Sequence, residues 1–146
     1  MPLSFKWDDR FLAMAELVGG WSKDPSTKVG AVIVRDKKII STGFNGFPAG
    51  VDDDYALLKS REEKYPRIIH AELNAMLHAK EDLSGCTIYV VPLPPCSACA
   101  AAIVQSGISR VVTRPLDIEH ADRWRKDMER SKDMFRQTGV EYWEVG

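Results

Sequence analysis

Two short motifs, far apart in the chain, have to meet in space: His70-Ala71-Glu72, and Pro94-Pro95-Cys96-Ser97-Ala98-Cys99. One imidazole and two thiolates make a donor set suited to zinc. Three protein ligands leave the fourth tetrahedral position open to water, as in catalytic rather than structural sites. Any fold for this chain must therefore press the segment that opens at His70 against the segment that opens at Cys96. Cys96 and Cys99 are three residues apart, so on a helix their Cβ atoms lie about 5–6 Å from each other and both sulfurs reach one ion. Two prolines precede Cys96 and Gly107 follows the apolar run, which predicts a helix over 96–106 with both thiols in its first turn. The partial positive charge and unsatisfied N–H groups of a helix start favour thiolate over thiol. His70 opens a second helix, over 71–80, in the same fashion.

Glu72 stands two positions beyond His70, about 200° around a regular helix, so it need not ligate the same ion directly. A reach across the first turn brings its carboxylate beside the zinc-bound water, whose pKa the metal lowers to about 7. From there it can take the water's proton and return it to a ring nitrogen and then to a leaving amine. A C-x-x-C pair alone could be a redox couple, but a redox pair does not call for an upstream His-x-Glu. His78 and His120 read as ordinary surface or core histidines, and Cys86, which starts an apolar run, as a small buried hydrophobe.

At 146 residues and 45% hydrophobic content, the chain fits one globular domain, residues 1–146, with a core that needs no disulfides. Two of the three cysteines are taken by the metal, so no disulfide pair remains. The start, Met1 to Asp8, lacks the apolar core of a signal peptide, and a reducing, cytoplasmic setting is expected. No apolar run is long enough to span a bilayer, and there is no internal repeat. The net charge of −1 and the pI near 6.3 argue against nucleic acid as a partner and favour a small-molecule substrate. Arg123, Arg125, Lys126, Arg130, Lys132 and Arg136 are interleaved with Asp122, Asp127, Glu129 and Asp133, and read as a solvated helix face.

Apolar spacing predicts a helix over 8–18 stopped by Gly19-Gly20, and then a hairpin of strands 29–34 and 38–44. A loop with a short helical stretch leads to the His70 helix. Strand 87–91, helix 96–106, strand 109–113, helix 122–137 and strand 140–144 follow. Such alternation implies a layered α/β domain with parallel pairings in its later half, and both ligand-bearing helices begin where such domains place their sites.

With the metal motifs stand Asp24-Pro25-Ser26-Thr27-Lys28-Val29-Gly30-Ala31, the loop Gly43-Phe44-Asn45-Gly46-Phe47-Pro48-Ala49-Gly50, Lys64-Tyr65-Pro66 and His70-Ala71-Glu72-Leu73-Asn74-Ala75. Through these runs nearly the whole chain resembles the deoxycytidylate (dCMP) deaminases of the cytidine and deoxycytidylate deaminase superfamily. The resemblance implies a three-layer α-β-α fold with a mixed five-stranded sheet. It implies one zinc ion on His70, Cys96 and Cys99, with Glu72 as proton shuttle for hydrolysis of dCMP to dUMP: zinc-bound hydroxide attacks C4 of cytosine and ammonia leaves. The Ala71 N–H would face the pyrimidine carbonyl and Asn45 the sugar, although Asn45 could also merely shape a tight turn with Gly46. For the phosphate, the loop before the first strand offers Lys23, Ser26 and Lys28 as donors, or else forms a solvated turn around Asp24 and Pro25.

The resemblance further implies a homo-oligomer, hexameric in several members, with dCTP and dTTP as effectors, and dUMP supply for thymidylate synthesis as the role. Ala49 stands where related loops often carry a basic residue, which puts that regulation in question, and the chain has no spare Cys/His cluster for a second zinc. Rival readings are a deaminase of CMP, dCTP or free cytidine, the pyrimidine deaminase of riboflavin synthesis, a tRNA adenosine deaminase, and a catalytically silent module that binds zinc and a nucleotide.

Overall fold

Side chains alternate in direction along a strand, and in this molecule that alternation sorts the apolar residues into two cores on opposite faces of one sheet. The computed structural model describes residues 5–116 and 118–146, with the backbone alone for 118–121. Met1 to Ser4 and the side chain of His120, both weighed in the sequence, lie outside the described residues. In chain order the elements are α1 (Lys6–Gly19), β1 (Gly30–Arg35), β2 (Lys38–Phe44), α2 (Tyr55–Lys59), α3 (Arg61–Lys64), α4 (Ala71–Ala79), β3 (Thr87–Val91), α5 (Ser97–Ser106), β4 (Arg110–Thr113), α6 (Ile118–Thr138) and β5 (Glu141–Glu144). The sheet order is β2-β1-β3-β4-β5. Strand β1 is antiparallel to both neighbours, and β3, β4 and β5 run parallel. This is the mixed sheet of the expected fold, with its parallel pairing in the later half.

On one face α1 packs Phe11, Leu12 and Ala15 over Val32, Val34, Tyr89 and Val112. On the other, α4, α5 and α6 bring Ala75, Ile103 and Phe135 over Ala31, Ile33, Ile88, Val90 and Val111. Three layers result, helix, sheet and helix, and Cys86 is buried among the second group. Two stretches differ from the sequence reading. The short helical stretch before His70 is two helices, α2 and α3, and α6 begins four residues ahead of the expected 122.

The β1–β2 hairpin turns through Asp36 and Lys37, both at positive φ (52° and 63°), which is the type I′ geometry that matches strand twist. Val34 pairs with Ile39 but Ile33 with Ser41, so Ile40 is an extra, bulged residue. Beyond the bulge Ser41 faces α4 and donates from Oγ to the Ala75 carbonyl at 2.7 Å. Two residues on, α4 lies directly on the backbone of Gly43: a Cβ there would sit 2.4 Å from the Ala71 oxygen and 2.4 Å from the Ala75 nitrogen.

Helix α1 is tied to the far strands by ions. The buried Asp8 carboxylate accepts from Tyr89 Oη at 2.7 Å and from both Arg110 nitrogens, at 2.8 and 2.9 Å. Asp9 pairs with Arg114 at 2.9 Å, and the Phe5 ring lies 5.8 Å from that of Trp143 in β5.

Candidate active site

His70 and Cys96 occupy the same position on their helices. Each is the N-cap, with extended backbone (φ −68°, ψ 155° and φ −68°, ψ 168°), so each side chain stands beside a helix start. The approach to His70 is held straight by Ile69, whose N–H and C=O pair with Gly46 in the loop after β2, at 2.8 and 3.1 Å. Cys96 enters from Pro94-Pro95 and its sulfur accepts from the Cys99 N–H at 3.5 Å. Thus the segments that lead into α4 and α5 deliver His70 and Cys96, and Cys99 stands in the first turn of α5.

His70 Nδ1 lies 3.4 Å from the sulfurs of Cys96 and of Cys99, and the three ligand atoms all fall within 4.8 Å of one another. A tetrahedral zinc with Zn–S about 2.3 Å and Zn–N about 2.0–2.1 Å sets its nitrogen and sulfur ligands about 3.6 Å apart. The donor set and its spacing both fit zinc.

The two thiols are joined by a hydrogen bond. The Cys96 sulfur is pushed down to about 4, first by the hydrogen bond from the Cys99 thiol and then, against the cost of burial, by His70. Cys99 is pushed up, because its proton is held in that bond. The hydrogen bond to Cys96 likewise raises His70. Glu72 is only 4% exposed, and burial pushes its carboxyl up to about 7, while its own backbone N–H, His70 and the Cys99 thiol pull the other way. A buried carboxyl tuned towards neutrality beside an ion site is suited to proton transfer in both directions.

Ala71 and Glu72 line a cleft of about 200 Å³, together with His70 and Cys96. Ala71 is the first residue of α4, so its N–H has no partner within the helix. Asn45 and Ser26 also line the cleft, whereas Lys23 and Lys28 do not. Lys23 reaches away to pair with Asp53 at 2.8 Å, and Lys28 is exposed. The cations of the lining are Arg61, Lys64 and Arg123.

Asn45 is a cross-link. Its Oδ1 accepts from the Val29 N–H at 2.9 Å, and its Nδ2 donates to the Thr27 carbonyl at 2.8 Å and to Asp24 Oδ2 at 3.3 Å. Asp24 is more than a turn former: its Oδ1 also accepts from the Ser26 N–H at 2.8 Å and from the buried Lys64 ammonium at 3.1 Å. The 24–29 loop, the end of β2 and α3 are thereby locked together at the cleft wall.

The opposite wall is α6. Arg123, Trp124, Asp127 and Met128 line the cleft, so the face read from sequence as solvated is in part a lining. Asp127 accepts from the Ser97 N–H at 2.8 Å and from Ser97 Oγ at 2.7 Å, and these bonds hold its carboxyl below the usual carboxylate range. Asp24, Lys64, Trp124 and Asp127 were not singled out as site residues. Their one legible signal was that Asp24 and Lys64 fall inside the two runs that carry the resemblance.

A family model described as the cytidine and deoxycytidylate deaminase zinc-binding region matches residues 5–114. An uncharacterized deaminase in the luxG 3' region of Aliivibrio fischeri is 53% identical over 136 residues, 93% of this chain and 91% of that protein. The deoxycytidylate deaminase of Mus musculus is 43% identical over 114 residues, 73% of this chain, and the match spans only 64% of the mouse protein. In fold, the chain is similar to the dCMP deaminase of cyanophage S-TIM5, solved with dCMP and dUMP: TM-score 0.79, 24% identity, 99% of this chain and 100% of that one. The matched residues hold His70, Glu72, Cys96 and Cys99 together with the loops that position them, and the chain belongs to the cytidine and deoxycytidylate deaminase family.

Proposed function

We propose that this chain hydrolyses dCMP to dUMP and ammonia. The observation that carries the proposal is a buried carboxyl, Glu72, beside a three-ligand zinc-type site in a cleft whose lining also carries cationic side chains. His70, Cys96 and Cys99 would hold the zinc, which when bound would acidify a water to a pKa of about 7. Glu72 accepts a proton from water and delivers protons to the ring nitrogen and the departing amine, so that one water and one dCMP become one dUMP and one ammonia. The Ala71 N–H donates to the pyrimidine carbonyl. Both N–H groups of Asn45 are committed, so Asn45 meets the sugar only by accepting a hydroxyl proton at Oδ1. Ser26, Arg61 and Arg123 receive the phosphate, in place of Lys23 and Lys28, which lie off the cleft. In this reading the chain acts as a homo-oligomer that supplies dUMP for thymidylate synthesis.

The test is ultraviolet-monitored deamination by the zinc-loaded protein of dCMP, CMP, deoxycytidine and dCTP, each with and without dCTP and dTTP as effectors. Preferential turnover of dCMP supports the assignment. Equal turnover of deoxycytidine removes the phosphate contacts from it. No turnover of any of the four, with zinc bound, overturns it in favour of a silent binding module.

A further inference from the structure

Cys96 is gripped from both sides by α6, the helix that lies beyond the region matched by the family model. On its carboxyl side, Ser97 gives its N–H and its hydroxyl to the two oxygens of Asp127. On its amino side, the carbonyl of Pro95 accepts from Ser131 Oγ at 2.9 Å, and Ser131 is buried. Asp127 and Ser131 are four residues apart and therefore share one helix face. That face is set against the three-residue turn whose middle member is a metal ligand.

These bonds fix the backbone on either side of the Cys96 Cα, and so the direction in which its sulfur points. The carboxylate of Asp127 also satisfies the first N–H of α5, one of the groups at a helix start that otherwise lack a partner. We propose that Asp127 and Ser131 are positioning residues for Cys96, and that zinc retention and the docking of α6 are coupled through residues 95–97. The proposal rests on His70, Cys96 and Cys99 being the zinc ligands. Coupling of this kind is reciprocal: whatever factor α6 docking adds to zinc affinity, zinc adds to α6 docking. Because Trp124 and Met128 of the same helix line the cleft, loss of zinc would loosen a substrate wall as well as a catalytic ion.

The experiment measures zinc affinity by competition with a chromophoric chelator, and backbone hydrogen exchange of α6 with and without zinc, on the whole chain. Groups bonded directly to a metal ligand are worth about 10–100-fold in affinity. Asp127 and Ser131 act one residue removed, so Ser131→Ala and Asp127→Ala should each weaken zinc about tenfold, the lower end of that range. Asp127→Asn keeps one acceptor for the Ser97 N–H and should fall between Asp127→Ala and the parent chain. Zinc should slow exchange in α6 of the parent chain and do so less in the variants. Phe135→Leu loosens α6 from the core but leaves its bonds to residues 95–97 in place, so it should weaken zinc less than either of the other two variants. Affinities of Ser131→Ala and Asp127→Ala within about twofold of the parent overturn the proposal, and so does a loss in Phe135→Leu as large as theirs. Failure of the parent chain itself to bind zinc overturns the ligand assignment instead.

Discussion

Glu72 is buried, among the described residues without a cationic side chain paired to it, and its carboxyl is carried towards neutrality by burial before any other cause. Such an arrangement is costly for stability and useful for proton transfer. Glu72→Gln keeps the volume and removes the titration, so kcat should fall by about 10²–10⁴, the worth of a positioned acid–base, while zinc content measured on the same sample stays at the parent level. Loss of zinc in that variant, or unchanged turnover, would defeat the role. At this scale the sequence was legible where residue type and spacing determine chemistry: His70, Cys96 and Cys99 are donors that suit one ion, and they converge. It was not legible where direction matters. Lys23, Lys28 and Lys64 carry the same charge in neighbouring stretches of loop and helix. Only the fold turns Lys23 to Asp53, leaves Lys28 exposed, and buries Lys64 against Asp24 forty positions away.

Helices and strands were read closely from apolar period and from their stops, because Gly107 and the prolines before Cys96 act locally. What escaped has a local cause too. The hairpin is legible but its turn type is not, since the turn lacks the glycine that usually marks type I′ geometry, and the bulge at Ile40 leaves no trace in composition. Gly43 looked like one small residue in a glycine-rich loop region, yet it is the contact on which α4 rests. A methyl group there would have to displace α4 at Ala71, the residue between His70 and Glu72. Gly43→Ala should therefore cost about 1–3 kcal/mol by overpacking, read from the denaturation midpoint, and should weaken zinc binding as well, since the helix that moves begins at His70. Full stability together with parent-like zinc affinity would show that β2 does not set the place of α4.

Across the whole molecule, the Asp8–Arg110–Tyr89 cluster joins α1 to β3 and β4, 81 and 102 positions along the chain. Arg110 first, and Tyr89 with it, hold the Asp8 carboxyl below its ordinary value of 3.8. A carboxyl whose pKa is lowered by folding adds stability above its unfolded value and loses it as the pH falls through the folded one. Asp8→Asn should cost on the order of 2–3 kcal/mol near neutral pH, because it leaves Arg110 without its ion partner. In urea titrations at about pH 7 and about pH 3, the gap between variant and parent should narrow at the acid end, and a gap independent of pH would assign the cost to packing alone. The same long-range pairing has a topological corollary. With the Phe5 and Trp143 rings in contact and Asp9 bound to Arg114, the two ends of the sheet's connectivity lie side by side, while the Asp36-Lys37 turn stands exposed. A circular permutant that joins Gly146 to Phe5 by a short flexible linker and opens the chain at that turn should keep the metal site, because the segments that carry its ligands remain intact.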